Sequence, residues 1–194
     1  MNWILIEDSV ILGVGLAMDA FCVSMSNGLN DPSMRRKKML GIAGMYAFFQ
    51  FAMPLIGWIC VHTIASYFAA FQKLIPWIAL GLLSFIGGKM LVEGIRNSHE
   101  EEESATLTFR ELVLQGIATS IDALSVGFAI SEYEVSEAFL SSVIIAIVTM
   151  VISVTGVKLG RKFGTMLEGK ANILGGVILI GIGLEIFIRR MFFK

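Results

Sequence analysis

The sequence predicts an all-α integral membrane protein with six transmembrane helices, arranged as two inverted three-helix repeats. Three observations lead to this prediction: an apolar composition, six separate apolar runs, and an aspartate motif that occurs once in each half. Of the 194 residues, 56% are hydrophobic and 16% are charged, and the mean hydropathy is +0.78. The charges cluster between long apolar runs, as in chains that cross a membrane several times.

Six apolar runs are each long enough to cross the hydrocarbon core, which takes about 20 residues of helix. The predicted spans are residues 9–29, 39–61, 74–95, 111–130, 138–157 and 172–191. The connection at 96–110 contains the acidic sequence SHEEEES and is predicted to be a solvated cytoplasmic linker. The chain therefore divides into a first repeat at 1–95, the linker at 96–110 and a second repeat at 111–194.

The basic residues predict the orientation of these spans. Ten of the 15 Lys and Arg residues lie in the first, third and fifth connections, four lie on the opposite side, and Lys89 lies inside the third helix. Because cytoplasmic loops are enriched in Lys and Arg, both termini are predicted to lie outside, although the basic C-terminal tail argues against this. The N-terminus has no basic flank of a signal peptide, so no cleavage is expected.

The remaining composition excludes several other classes of protein. A net charge of −1 gives no indication of a nucleic-acid partner. Cys22 and Cys60 form no CxxC pair and no cluster with histidine, so neither a disulfide framework nor a thiolate metal site is predicted. The expected partners are the lipid bilayer and a divalent metal ion, and protons are a candidate for exchange with the metal.

A repeated motif relates the two halves. AMDAFCVSMSNG at 17–28 aligns with SIDALSVGFAIS at 120–131, which pairs Asp19 with Asp122. Four further pairs follow when the next helices are aligned: Gln50 with Thr149, Gly57 with Gly156, Gly81 with Gly175, and Gly87 with Gly181. Because each half has three helices, the second half crosses the membrane in the opposite sense, as in many secondary transporters. The two aspartates are predicted to meet near the midplane.

The aspartates are the candidate metal ligands. A charged Asp at a helix centre costs about 2.5 to 3.5 kcal/mol on insertion scales, so two at matching positions indicate a function. Small residues share a helix face with each of them, which would let the carboxylates approach each other. Two close carboxylates in a low dielectric hold protons or a cation, and oxygen donors favour Mn²⁺ or Mg²⁺. The candidate auxiliary oxygens belong to Gln50, Thr119, Ser120 and Ser125. The hydroxyl of Thr149 could add another, but a role in helix packing is the favoured interpretation of that residue.

Other polar residues within the spans have competing interpretations. Lys89 and Glu93, like Glu185 and Arg189, have the i,i+4 spacing of a helix-surface ion pair, which favours a structural role over transport. Gln50 lies four residues before Pro54, so its amide either satisfies backbone groups freed by the proline or lines the metal site.

Five segments together resemble the bacterial manganese-efflux pump family MntP, which is related to the lysine-exporter superfamily. They are LAMDAF, MPLIGW, GGKMLVEG, ATSIDALSVG and ILGGVILIGIG, and they extend over nearly the full length. The resemblance implies export of Mn²⁺ from the cytoplasm across the bacterial inner membrane, with no permanently bound cofactor, and places the two motif aspartates of the family at Asp19 and Asp122. Some members carry an acid at the position of Gln50, so ligand charge here would depend more on the two aspartates.

The mechanism we expect is alternating access around Asp19 and Asp122. A dicarboxylate site is also compatible with exchange of Mn²⁺ for protons. The alternatives are a transporter or channel for another divalent cation or a small substrate, and an intramembrane aspartyl protease. The GxGD and YD motifs expected of that protease are not found in this sequence.

Overall fold

α-Helices form all the regular structure in the part of the chain that the computed structural model describes, residues 3–72, 75–96, 107–164 and 171–192. The helices are α1 (Trp3–Asn30), α2 (Arg36–Gln72), α3 (Ile75–Arg96), α4 (Phe109–Ser120), α5 (Ala123–Ala129), α6 (Val135–Gly164) and α7 (Ala171–Phe192). The predicted all-α class is confirmed. The acidic sequence at 98–104 lies outside the described residues.

Three of these helices are clearly apolar and long enough to cross a membrane. They are α1, the Arg36–His62 part of α2, and α6, while α7 contains a shorter apolar stretch, Ile173–Ile182. Large apolar side chains are exposed along several helices, including Ile11, Phe48, Phe85, Ile147 and Val177. An apolar surface of this extent is unfavourable in water and fits contact with lipid. The chain is therefore a helical membrane protein.

The predicted fourth span, 111–130, is two helices instead of one. α4 and α5 are separated by a turn at positions 121–122, so Asp122 lies at the break. Just before it, the hydroxyls of Thr119 and Ser120 donate to backbone carbonyls of the preceding turn, at 2.8 and 2.5 Å. Such hydrogen bonds compete with the regular helical pattern and bend helices. The amide of Ser125 donates to the Asp122 carbonyl at 2.9 Å, and the helix resumes there.

An ion pair fixes the start of α4 against α3. The ammonium group of Lys89 contacts the carboxylate of Glu111, whose other oxygen accepts the backbone N–H of Thr108 at 2.9 Å. The sequence predicts a partner for Lys89 at Glu93 on its own helix, and that pairing stays a prediction. The side chain of Glu93 lies outside the described part.

The helices pack mainly across the two halves of the chain. α1 lies against α6, α3 lies against α7, and α2 contacts both α5 and α6. At one end of the bundle, Arg161 Nε donates to the Pro32 carbonyl at 2.9 Å, and Lys38 pairs with Asp31 at 2.8 Å. This end, which contains residues 31–38 and 158–164, is called the basic end below.

Candidate metal-transport site

The segments that carry Asp19 and Asp122 are joined by one side chain, Gln50 of α2. Its amide nitrogen lies 3.2 Å from the Leu16 carbonyl of α1 and 3.2 Å from the Thr119 carbonyl of α4. Each carbonyl belongs to the residue three positions before an aspartate. Gln50 therefore donates to equivalent points in the two aspartate motifs and brings these motifs to the same part of the bundle.

The environments of the two aspartates differ. Asp19 is 6% exposed, in the middle of a continuous helix. Asp122 is half-buried at the break between α4 and α5. A helix break exposes backbone groups that a continuous helix would use, and membrane transporters place such breaks at their ion sites. The break therefore adds backbone polar groups to the surroundings of Asp122.

Gln50 itself offers oxygen atoms to a ligand. The side chain is fully buried, and its Oε1 has no hydrogen-bond partner among the described residues. Its backbone carbonyl lacks the usual helical donor, because Pro54, four residues later, has no N–H. The amide nitrogen bonds to other helices and not to this freed carbonyl. The contacts thus favour the interpretation that Gln50 lines a site.

The other candidate oxygens differ in whether their hydroxyl groups already form hydrogen bonds. Thr119 and Ser120 donate their hydroxyl protons to backbone carbonyls, which leaves the lone pairs of both oxygens able to accept a cation. Ser125 is half-buried one turn after Asp122. Thr149 is fully buried, and its hydroxyl has no partner within the described part of the chain.

A buried polar triad near this site was missed by the sequence analysis. Asn27 Nδ2 donates to the Tyr46 hydroxyl at 2.7 Å and to Gln115 Oε1 at 2.8 Å. The Tyr46 hydroxyl donates to the same Gln115 oxygen at 2.7 Å. All three side chains are at most 2% exposed, and they link α1, α2 and α4.

The triad lies between the aspartates and the basic end. Asn27 follows Asp19 by two helical turns, and Gln115 precedes Asp122 by two turns. Polar residues at these distances from both aspartates were a usable signal in the sequence. The repeat alignment hid it, because the alignment pairs Asn27 with Ile130.

The donor set limits the kind of site that the bundle can form. The described residues contain no group of three or more His, Cys, Asp or Glu side chains that could hold a metal ion. The candidate residues offer carboxylate, amide, hydroxyl and backbone oxygens. Such an all-oxygen set suits Mg²⁺ and Mn²⁺ better than softer metals.

Comparison with known proteins identifies the family. Residues 33–187 match the family described as "Mntp: Putative manganese efflux pump". The chain belongs to the Mntp family. The match includes α2, the break at Asp122 and α6, and it confirms the resemblance found in the sequence motifs.

Full-length relatives support the Mntp assignment. A protein from Ruminiclostridium cellulolyticum is 41% identical over 189 residues, which cover 97% of this chain and 98% of the relative. One from Methanospirillum hungatei is 38% identical over 187 residues, covering 96% and 95%. One from Rippkaea orientalis is 41% identical over 181 residues, covering 93% and 95%. All three carry the name of the manganese efflux pump MntP, which confirms a transporter and not an enzyme. No solved structure matches the chain significantly.

Proposed function

We propose that this chain exports Mn²⁺ from the cytoplasm by alternating access around a site formed by Asp19 and Asp122. The observation that carries this proposal is the position of Gln50, which donates to the carbonyl three residues before each aspartate. Gln50 Oε1, the hydroxyls of Thr119 and Ser120, and Ser125 would complete the oxygen shell. The membership of the Mntp family supports Mn²⁺ as the substrate.

Equivalent contacts in the two halves support an inverted repeat. A Cβ on Gly57 of α2 would meet the Leu124 carbonyl, and a Cβ on Gly156 of α6 would meet the Phe21 carbonyl. In the motif alignment, Gly57 pairs with Gly156 and Leu124 pairs with Phe21. The first helix of each half therefore packs against the second helix of the other half in the same way.

A second set of contacts repeats this relation. Gly13 of α1 packs against Val148 of α6, and Gly116 of α4 packs against Phe49 of α2. The same alignment pairs Gly13 with Gly116 and Val148 with Phe49. We infer from the two sets that the six spans form two three-helix repeats related by an approximate twofold axis.

The third helices of the two halves, α3 and α7, also contact each other reciprocally. The glycines that meet there differ from those that the sequence alignment pairs. A Cβ on Gly87 of α3 would meet the Gly176 carbonyl of α7, and a Cβ on Gly176 would meet the Gly87 carbonyl. This reciprocal contact pairs Gly87 with Gly176, whereas the sequence alignment paired Gly87 with Gly181. Gly181 has open space around the position of a Cβ.

The two ends of the bundle differ in how closed they are. The buried triad of Asn27, Tyr46 and Gln115 lies between the aspartates and the basic end. At the opposite end, an open cleft of about 840 Å³ is lined by residues that include Trp58 and Tyr133. With the basic end cytoplasmic, this arrangement fits a state closed to the cytoplasm. Breaking the triad would then open the site to cytoplasmic Mn²⁺.

Charge balance explains how the site could release its ion. Two neighbouring carboxylates in low dielectric favour a bound cation or a bound proton, so Mn²⁺ and H⁺ compete for them. Protons arriving from outside would displace Mn²⁺ and neutralise the empty site for its return. We therefore include proton exchange in the proposed mechanism.

Measuring Mn²⁺ efflux from loaded bacterial cells that lack their own exporter tests the proposal. The wild type should lower cellular manganese, and Asp19→Asn and Asp122→Asn should each fail at matched membrane abundance. Asp31→Asn is a suitable control, because Asp31 pairs with Lys38 at the basic end, away from the site. Efflux by both site variants at the wild-type rate would refute the paired-aspartate site.

A further inference from the structure

Three buried hydroxyl groups have no hydrogen-bond partner among the described residues. They belong to Ser24 of α1 and to Thr149 and Ser153 of α6, and each side chain is fully buried. Other buried hydroxyls in the bundle, such as that of Ser142, donate to the carbonyl four residues earlier. Buried polar groups are nearly always satisfied, so three unsatisfied hydroxyls on two helices that pack together require an explanation.

The three hydroxyls lie along one seam between α1 and α6. Thr149, Ser153 and Gly156 have the i, i+4, i+7 spacing of a single helix face. At Gly156 this face meets α1, where an added Cβ would lie 3.0 Å from Ser24 Cβ. The hydroxyls are therefore neighbours on one helix interface.

The same seam includes the level of Asp19. Before Thr149, α6 meets α1 at Gly13, where an added Cβ would lie 3.2 Å from the Ile145 Cα. Thr149 and Ser153 thus lie between two close contacts, one at Gly13 and the other at Phe21 and Ser24. The α1 segment between those contacts contains Asp19.

The other half of the bundle lacks these hydroxyls. In the repeat alignment, Ser153 corresponds to Pro54 and Ser24 corresponds to Gly127. The three hydroxyls therefore occur only on the side of Asp19, and the corresponding positions near Asp122 have no hydroxyl group.

We propose that Ser24, Thr149 and Ser153 form a neutral oxygen subsite that holds a partly hydrated divalent cation as it moves to or from Asp19. This inference rests on the proposed function. Hydroxyl oxygens can replace water molecules in the shell of a hard cation, and a cation or its water would satisfy all three groups. Because these ligands carry no charge, they bind weakly enough to pass the ion on.

The test is the rate of Mn²⁺ transport in proteoliposomes as a function of Mn²⁺ concentration, together with thermal unfolding of each purified full-length variant. Ser153→Ala and Thr149→Val should raise KM several-fold without lowering the melting temperature. Ser142→Ala is the matched control, because Ser142 is equally buried on α6 and its hydroxyl is satisfied. It should leave KM unchanged.

A different result is expected if the three hydroxyls only pack between the helices and bind no ion or water. If the hydroxyls are dry packing groups, Ser153→Ala and Thr149→Val will leave KM unchanged and raise the melting temperature, since each removes an unsatisfied polar group. That result overturns the subsite. Ser24→Ala provides the same comparison on α1 if an α6 variant does not fold. Failure of the proposed function is distinguishable, because then Asp19→Asn would transport Mn²⁺ like the wild type.

Discussion

Gln50 is a neutral residue that contacts both aspartate motifs. Its amide nitrogen donates to carbonyls on α1 and α4, while its oxygen has no partner among the described residues. A carboxylate of the same length could not donate these bonds while ionised, and it would add a third negative charge beside two aspartates.

This contrast leads to a prediction for Gln50→Glu. Without divalent cations, the variant should unfold at a lower temperature than the wild type, because two donated bonds are replaced by repulsion. Added Mn²⁺ should raise its melting temperature by more than it raises that of the wild type, since the extra carboxylate binds the cation. Thermal unfolding with and without Mn²⁺ measures both effects. Equal Mn²⁺ shifts in the two proteins would show that residue 50 does not contact the ion.

Residue-level chemistry was partly predictable from the sequence. Asp19 and Asp122 stood out because charge is costly inside an apolar run, and Gln50 was a candidate for a similar reason. The ion pair of Lys89 with Glu111 was not predictable, because helical spacing indicates only neighbours on the same helix. Glu111 is separated from Lys89 by the acidic linker and is brought to it only by the packing of α3 against α4.

The hydrogen bonds of the triad link three helices, α1, α2 and α4. Tyr46 is central, since its hydroxyl accepts from Asn27 and donates to Gln115. Removing that hydroxyl leaves buried amide groups with fewer partners, which costs about 1 to 3 kcal/mol.

We therefore expect Tyr46→Phe to lower the free energy of unfolding by about 1 to 3 kcal/mol. Tyr133→Phe serves as a control, because the described hydrogen bond of Tyr133 uses its backbone carbonyl, which accepts from Trp58. Unfolding in detergent, followed by circular dichroism, measures the difference. Equal stability of Tyr46→Phe and the wild type would mean that the triad contributes little to the packing of α1, α2 and α4.

The break between α4 and α5 shows why element boundaries were harder to predict than helix type. Mean hydropathy over 111–130 is that of a continuous span, and it contains no information on hydrogen bonds. The break follows from two local bonds, those of the Thr119 and Ser120 hydroxyls, and the Thr119 carbonyl also accepts Gln50 from a distant helix. The two hydroxyl residues before Asp122 could be recognised in the sequence, whereas the hydrogen bond from Gln50 could not.

In the whole molecule, the basic residues of the first and fifth connections lie at the same end of the bundle. The bond between Arg161 and Pro32 brings two basic connections together, as expected if both lie in the cytoplasm. The close contact of Gly87 with Gly176 required the structure, since the sequence alignment pairs Gly87 with Gly181.

Orientation gives a prediction that labelling can check. In a chain with Cys22 and Cys60 replaced by serine, Glu134→Cys should react with a membrane-impermeant maleimide in intact cells. Ser33→Cys should react only after the membrane is permeabilised. Both positions are exposed, so reactivity reports the side of the membrane. The reverse labelling pattern would place the basic end outside.

In the proposed mechanism, two aspartates from the two halves share one Mn²⁺ ion. The most direct measurement is Mn²⁺ binding to the purified protein in detergent, with free Mn²⁺ quantified by electron paramagnetic resonance. We expect one Mn²⁺ per wild-type chain and loss of that site in both Asp19→Asn and Asp122→Asn, with binding retained in Asp31→Asn. Binding of Mn²⁺ by both site variants with the stoichiometry and affinity of the wild type would contradict it.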